Sequence, residues 1–132
     1  MSRELIEILR KTKNREVDIT DFLKISSQYI PPGEDYGVLL ASTTSLSYYL
    51  DRSGIISVSR RLEEHLPYMS FTSRRIDWSR IPEWVLSNID PCSIALEIKR
   101  LNSEWVKIAD RRDPYYEVAE EISKTDLSIV CG

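Results

Sequence analysis

Histidine, cysteine and glycine are scarce in this sequence, which has one histidine, two cysteines and four glycines in 132 residues. With so few histidine and cysteine side chains, we expect neither a zinc site with several such ligands nor a scaffold of several disulfides. The glycines are isolated, and none precedes a Lys-Ser or Lys-Thr pair, so no glycine-rich phosphate loop is predicted. We therefore expect neither a metal nor a cofactor.

The cysteine content and the first residues of the chain predict a location. The two cysteines are Cys92 and Cys131, and no charged segment followed by an apolar one opens the chain. Disulfides and signal segments accompany oxidising compartments. We expect a cytoplasmic protein with free thiols.

Long hydrophobic runs are also missing, since the longest uninterrupted one is the four-residue stretch Val38–Ala41. A bilayer crossing needs about 20 residues, so no membrane span is predicted. Three tryptophans, seven tyrosines and an apolar content of 42% are enough to build one hydrophobic core. No linker rich in glycine, serine or proline divides the chain, so residues 1–132 are predicted to form a single domain.

Apolar residues recur at intervals of three and four in almost every segment, which is the helical period, while strict alternation is scarce. The pattern predicts an all-α fold, a single-domain bundle of about six or seven helices with room for one short extended segment near 67–76. The predicted helices cover approximately residues 2–13, 20–29, 35–52, 55–66, 79–89, 91–111 and 113–122. Gly54 is predicted to cap the third of them. Ile56 and Val58 alternate, which leaves a short strand open at the start of the fourth.

The clearest helix signal begins at Asp90-Pro91, a capping residue followed by a proline in the first turn. The apolar residues that follow step by four, three, four and three, and they are Ile94, Ile98, Leu101, Trp105 and Ile108. That spacing places all five on one face of a helix. We predict a long central helix over 91–111 with these five side chains buried.

The histidine lies in the run Arg60-Arg61-Leu62-Glu63-Glu64-His65, in which an arginine is followed by four residues and then the histidine. This arrangement resembles the signature of HEPN ribonucleases, which are small α-helical domains. The resemblance implies a metal-independent ribonuclease in which Arg60 stabilises charge at the scissile phosphate and His65 orients the ribose hydroxyl or exchanges a proton with it. The alternative is that both belong to the solvated face of a helix whose other face carries Leu62 and Leu66.

One basic cluster, formed by Arg74, Arg75 and Arg80, is interleaved with aromatic residues, namely Tyr68, Phe71 and Trp78. Interleaved cations and aromatics are typical of surfaces that bind single-stranded nucleic acid. Acidic residues balance the cations, however, because residues 34–80 hold six basic and six acidic side chains. We do not expect nucleic acid as a partner.

The net charge of −3 arises from the end of the chain, where residues 113–132 hold five acidic side chains and one basic one. The helix predicted there should present its carboxylates on the side away from Val118 and Ile122. Carboxylates beside a tyrosine suit the docking of a basic protein. The residues predicted to bind such a partner are Tyr115, Tyr116, Glu117, Glu120, Glu121 and Asp126.

These features predict a non-enzymatic protein-binding module, such as an immunity protein, an antitoxin or another inhibitor-type factor. Two other functions stay open, namely the HEPN-like ribonuclease and a structural or adaptor subunit that buries residues 67–78 against a neighbouring chain. Self-association is compatible with each of them. The acidic residues also have an alternative explanation, since they could pair with Arg111 and Arg112 within the molecule or simply aid solubility.

Overall fold

The computed structural model describes residues 2–33, 36–61 and 70–132, which form a mixed α/β fold. The predicted all-α bundle is therefore wrong. The helices are α1 (Ser2–Lys13), α2 (Ile19–Ser26), α3 (Glu83–Ser87), α4 (Pro91–Val106), α5 (Tyr116–Ser123) and α6 (Ser128–Cys131). The strands are β1 (Val38–Ser42), β2 (Leu46–Asp51), β3 (Gly54–Arg61) and β4 (Ser70–Ile76). Two short 3-10 turns cover Ser27–Tyr29 and Trp78–Arg80.

The four strands lie in one sheet in chain order, and each is antiparallel to the next. The two-residue turn Arg52-Ser53 joins β2 to β3, with Asp51 and Gly54 paired across it. Gly54 has a φ of +140°, a conformation that side chains other than glycine rarely adopt. The predicted helix cap at Gly54 is wrong, because Gly54 adopts its positive φ where the β2–β3 hairpin turn enters β3.

Alternation, and not the helical period, decides the structure of the first two strands. Val38 and Leu40 in β1 are buried, as are Tyr48 and Leu50 in β2, so every second side chain faces the core. Leu39 lies between two buried residues and is 51% exposed. The steps of three and four that favoured a helix over these residues are therefore a coincidence. The aromatic and aliphatic residues of this segment favour strands.

The helices predicted over 35–52 and 55–66 are wrong wherever the structure describes them, because strands β1, β2 and β3 occupy those residues. Residues 62–66 of the second helix lie outside the described residues. The extended segment expected near 67–76 corresponds in its described part to β4, which pairs along its whole length with β3. It is thus part of a sheet that the helical interpretation did not anticipate.

The helices flanking the sheet lie close to their predicted positions. α1 covers the predicted residues 2–13, and α2 with its 3-10 turn covers 19–29. The helix predicted over 79–89 is divided at Pro82, with a 3-10 turn before it and α3 after it. In the described parts of the chain, none of the helices is both long and apolar enough to span a membrane.

α4 begins where its cap predicts. The Asp90 carboxylate accepts hydrogen bonds from the Cys92 amide at 3.3 Å and from the Ser93 hydroxyl at 2.8 Å. The helix ends at Val106 instead of continuing to 111, and Ile108 beyond it is 80% exposed. The predicted burial of Ile108 is therefore wrong, whereas the four preceding apolar residues of the seam are buried as expected.

The main hydrophobic core combines the helices with one face of the sheet. Its fully buried side chains include Leu5, Leu9, Phe22, Leu23, Ile30, Leu50, Ile55, Ile98 and Ile122. A smaller cluster of Trp105, Tyr115 and Ala119 joins α4 to α5. The position of α5 is therefore set mainly by its packing against α4.

Cys92, at the start of α4, and Cys131, at the end of α6, form a disulfide, with their Cα atoms 5.8 Å apart. The predicted free thiols are therefore wrong. The two cysteines are 39 residues apart in the sequence, so only the fold brings them together. The bridge fastens the last turn of the described chain to the first turn of α4.

Candidate docking face

α5 packs on the body of the protein with one side and exposes carboxylates on the other. Ala119 and Ile122 are fully buried, whereas Glu117 and Glu121 are exposed. The two exposed carboxylates are four positions apart and so lie on the same side of the helix. We use the name acidic face for the surface formed by Glu117, Glu120, Glu121 and Asp126.

Local contacts fix two carboxylates of the acidic face. Glu120 is half-buried and lies 3.4 Å from the ammonium group of Lys124, one helical turn away. The Asp126 carboxylate accepts hydrogen bonds from the hydroxyl of Ser128 at 2.6 Å and from its amide at 2.9 Å. These two bonds, helped by the charge of Lys99, hold the pKa of Asp126 below its ordinary value. Asp126 is therefore fully ionised at neutral pH.

Neither tyrosine predicted to contact a partner is freely exposed. Tyr115 is only 8% exposed, and its ring meets Trp105 edge to face with the ring centres 5.5 Å apart. Tyr116 is half-buried beside the same indole, at 6.3 Å. Tyr115 is thus a structural residue in this fold, and Tyr116 is the tyrosine that borders the acidic face.

The Tyr115 hydroxyl anchors the start of α5 to two other elements. It lies 2.6 Å from the carbonyl oxygen of Tyr29 and 3.1 Å from Oδ1 of Asn102. Nδ2 of Asn102 donates to the carbonyl groups of Tyr29 and Ile98, both at 2.8 Å. Burial raises the pKa of Tyr115 to about 12, although the nearby charge of Arg52 opposes the rise. This buried polar network holds the acidic face in place.

A cleft of about 360 Å³ lies beside α5. Its lining residues are Glu4, Gln28, Tyr29, Arg52, Tyr115 and Val118. The Arg52 guanidinium stacks 4.4 Å from the centre of the Tyr115 ring and donates to the carbonyl of Ile30 at 2.9 Å. The Tyr29 hydroxyl donates to the Glu4 carboxylate at 2.6 Å, and burial together with this bond raises the pKa of Tyr29.

The sequence gives no signal for most of this region. Glu4, Tyr29, Arg52 and Asn102 come from four separate parts of the chain, and only the tertiary structure brings them together. Tyr115 is different, because it precedes Ala119 by four residues and Ile122 by seven, which is the spacing of a buried helical face. That spacing was sufficient to exclude Tyr115 from the exposed side.

Of the two residues that carry the ribonuclease resemblance, the structure describes only Arg60, and it lies on a strand and not on a helix. Arg60 is in β3, where its backbone pairs with that of Phe71 in β4. His65 lies outside the described residues. The geometry of an arginine and histidine pair on one helix is therefore not present at Arg60.

The segment assigned to an adaptor interface, residues 67–78, includes the edge strand β4. Its residues Thr72, Ser73, Arg74 and Arg75 are exposed in the isolated chain.

Within residues 2–33, 36–61 and 70–132, no three histidine, cysteine or carboxylate side chains converge as metal ligands would. The expectation of no metal and no cofactor stays a prediction. No protein-family model matches this chain, and neither does any curated protein or solved structure.

Proposed function

We propose that this protein is a non-enzymatic binding module that docks a basic partner protein on the acidic face. The observation that carries the proposal is the orientation of α5. Its buried side is fixed by Ala119, Ile122 and the Tyr115 network, so Glu117 and Glu121 lie exposed on the other side, with the half-buried Glu120 between them.

Charge complementarity identifies the chemistry of the partner. Residues 113–132 carry five acidic side chains against one basic side chain, and that base, Lys124, is already engaged with Glu120. Glu117, Glu120 and Glu121 are three and four positions apart and so lie along one side of α5, and the field of the acidic face accelerates encounter with a cationic protein. The half-buried Tyr116 and Val118 offer apolar area at the margin of the face for close contact.

Inhibitor-type proteins fit this chemistry. Nuclease toxins and nucleic-acid-binding factors are basic because they bind phosphate, so an immunity protein or antitoxin directed at one of them benefits from an acidic surface. Such an inhibitor needs no catalytic residue of its own. The proposal therefore depends only on a rigid face of the right charge.

We place the complex in the cytoplasm, where the Cys92–Cys131 pair would be reduced although the structure shows it bonded, so the redox state of the pair in the cell tests this part of the proposal. Structural disulfides persist in oxidising compartments and are rare in the cytosol. Thiols that react with an alkylating reagent during lysis of the source cells would support the cytoplasm. A pair that becomes reactive only after a reductant is added would contradict it.

The docking proposal is tested by the triple variant Glu117→Gln, Glu120→Gln and Glu121→Gln. The partner is captured from source lysate with the wild-type protein, and its association rate is then measured at low and at high salt. We expect the triple variant to associate about tenfold more slowly at low salt, with the difference shrinking as salt screens the field. The fold should survive, because exposed charges contribute at most about 1 kcal/mol each.

A matched control carries the same change in net charge elsewhere on the surface. Glu16, Asp21 and Glu83 are exposed and lie outside α5, so their joint replacement by Gln, Asn and Gln should leave the rate nearly unchanged. Equal rates for the wild type and the α5 variant would contradict the proposal. A captured partner whose contact surface is itself acidic would do the same.

A further inference from the structure

The face of the sheet that carries the core changes character along its strands. Near the β2–β3 turn, its side chains are the fully buried Leu50 and Ile55, and Ile55 pairs with Ile76 of β4. Two residues further along β3 and β4, the same face carries the pair Ser57 and Arg74. Arg74 is exposed and Ser57 is half-buried, so the core ends here and these polar side chains can be reached by a ligand.

These polar residues line a cleft of about 570 Å³ that is open to solvent. Its lining residues are Leu46, Tyr48, Ser57, Ser59, Thr72, Ser73, Arg74, Ile76 and Arg80. A volume between about 300 and 1,000 Å³ is typical of sites for small molecules. The cleft combines an apolar floor with serine and threonine hydroxyl groups and two guanidinium groups.

The charge of the cleft is positive although the chain as a whole is negative. Arg74 and Arg80 line it, and none of the described lining residues is acidic. Among the described residues, neither arginine has a carboxylate oxygen within 4 Å. Asp77 lies close enough to Arg80 to interact with its charge: hydrogen bonds from the amide and the hydroxyl of Ser79, and to a smaller extent the charge of Arg80, lower the pKa of Asp77.

Arg75 shows what a neutralised arginine looks like in the same strand. As the neighbour of Arg74 it points to the opposite face of the sheet. Its guanidinium donates to the Ser53 hydroxyl at 2.8 Å and lies 3.4 Å from the Asp51 carboxylate. Arg74 is also an exposed arginine of β4, but within the described chain it has no such partner, so its guanidinium donors are available to a ligand.

We propose that this cleft binds a small phosphate monoester, with Arg74 and Arg80 on the phosphate and the floor around Tyr48 under an apolar or aromatic moiety. Guanidinium groups present several donors in a fixed fork that matches phosphate oxygens. The hydroxyls of Ser57, Ser59 and Thr72 supply further donors at the wall. Trp84, which is 39% exposed and meets Tyr48 edge to face at 5.7 Å, extends the aromatic surface beside the floor.

This site is separate from the acidic face, because no residue of α5 lines it. The two proposals can therefore fail independently. A protein that inhibits a basic partner could lack a ligand in this cleft, and a protein that binds a phosphate ester here could lack a protein partner.

The experiment measures binding by isothermal titration calorimetry with three probes: adenosine monophosphate, adenosine and inorganic phosphate. We expect the monophosphate to bind most tightly, since it alone engages both the arginines and the apolar floor. Arg74→Gln and Arg80→Gln should each weaken its binding at least tenfold. Arg75→Gln is the matched control and should leave binding within about twofold of the wild type.

Several results would overturn the proposal. One is the absence of binding by the wild type at millimolar monophosphate, and another is equal affinity for adenosine, which would remove the role of the phosphate. Equal losses in all three arginine variants would indicate a general effect of charge. A single-stranded oligonucleotide that binds far more tightly than the monophosphate, and depends equally on Arg75, would identify an extended nucleic-acid surface instead.

Inorganic phosphate distinguishes the source of affinity within the site. Binding of phosphate alone with the same dependence on Arg74 supports the guanidinium contacts, and a gain for the monophosphate over phosphate supports the floor. Arg74→Lys keeps the charge and loses the fork, so we expect binding intermediate between the wild type and Arg74→Gln. Thermal melts of every variant confirm that the exposed substitutions leave the fold intact.

Discussion

Removal of one buried hydroxyl tests how the acidic face is held. In the variant Tyr115→Phe the ring is retained, and with it the edge-to-face contact with Trp105 and the stacking of Arg52 at 4.4 Å. The change is therefore confined to the hydrogen bonds of the hydroxyl with Tyr29 and Asn102.

The expected loss follows from what remains bonded. The Tyr29 carbonyl still accepts from Nδ2 of Asn102, but Oδ1 of Asn102 loses the partner described for it. The side chain of Asn102 cannot turn to give Oδ1 a new donor without loss, because Nδ2 is bonded to the carbonyls of Tyr29 and Ile98. A buried acceptor left without a partner costs about 1–3 kcal/mol. We expect Tyr115→Phe to lower the free energy of unfolding by that amount at neutral pH.

The pH dependence gives a second, independent measure of the same hydroxyl. The pKa of Tyr115 is about 12 in the folded protein, against an ordinary value of 10. As the pH rises above 10, the unfolded chain loses this proton first, so the wild type loses stability between about pH 10 and pH 12. Each pKa unit corresponds to about 1.4 kcal/mol, so the rise of two units corresponds to a full loss of about 3 kcal/mol. Phenylalanine cannot titrate, so the advantage of the wild type should shrink or reverse over that range.

The assay is chemical denaturation followed by tryptophan fluorescence at pH 8 and at several values up to pH 12. Tyr49→Phe is the control, because Tyr49 lies on the exposed side of the sheet and its substitution should change stability by less than about 0.5 kcal/mol. Tyr29 also has a raised pKa, caused mainly by burial and by its bond to Glu4; these causes remain in the variant, and only the smaller contribution of Tyr115 is lost. A Tyr115→Phe protein as stable as the wild type, or a stability difference independent of pH, would refute the buried network.

Two further predictions concern the helical layer. Leu101→Ala should lower the free energy of unfolding by about 2–5 kcal/mol because Leu101 is buried in the core. Ile108→Ala should have little effect because Ile108 is 80% exposed. Equal effects of the two substitutions in denaturant titrations would contradict this placement. Reduction of the Cys92–Cys131 bridge, which spans 39 residues, should lower stability by up to about 4 kcal/mol in the chain-entropy model, and identical denaturation curves with and without reductant would show that the bridge does not constrain the unfolded chain.

Local signals were enough to predict the helices that begin with strong caps or lie beside clear breakers. Asp90 and Pro91 specify the start of α4 through contacts within four residues, so no knowledge of the rest of the fold is needed. The C-terminal end of the same helix had no such marker. Ile108 continued the apolar spacing past Val106, and only the structure shows that no neighbour covers it.

The sheet was missed because two periods fit the same residues. Leu39, Thr43, Leu46 and Leu50 step at helical intervals, while Val38, Leu40, Tyr48 and Leu50 alternate. The second pattern describes the structure, since its members are all buried and Leu39 is half exposed. The run of hydroxyl residues between Ser42 and Ser45 is the connection of a hairpin, closed by a 2.6 Å bond from the Thr43 amide to the Leu46 carbonyl.

Because the sheet was missed, the phosphate cleft could not be predicted either. The register of each strand decides which of its side chains lie on which face of the sheet. Neighbouring strand residues point to opposite faces, and a shift of one residue exchanges all of them. The pairing of Ser57 with Arg74 places Arg74 on the face of the sheet that carries the core. Arg75 therefore lies on the opposite face, where it pairs with Asp51. The core ends before this part of the face, since Ser59, Thr72 and Arg74 are exposed. The cleft therefore brings two guanidinium groups and several hydroxyl groups together beside an apolar floor, whereas the acidic face offers charge alone, and the cleft is the more informative of the two surfaces to test first.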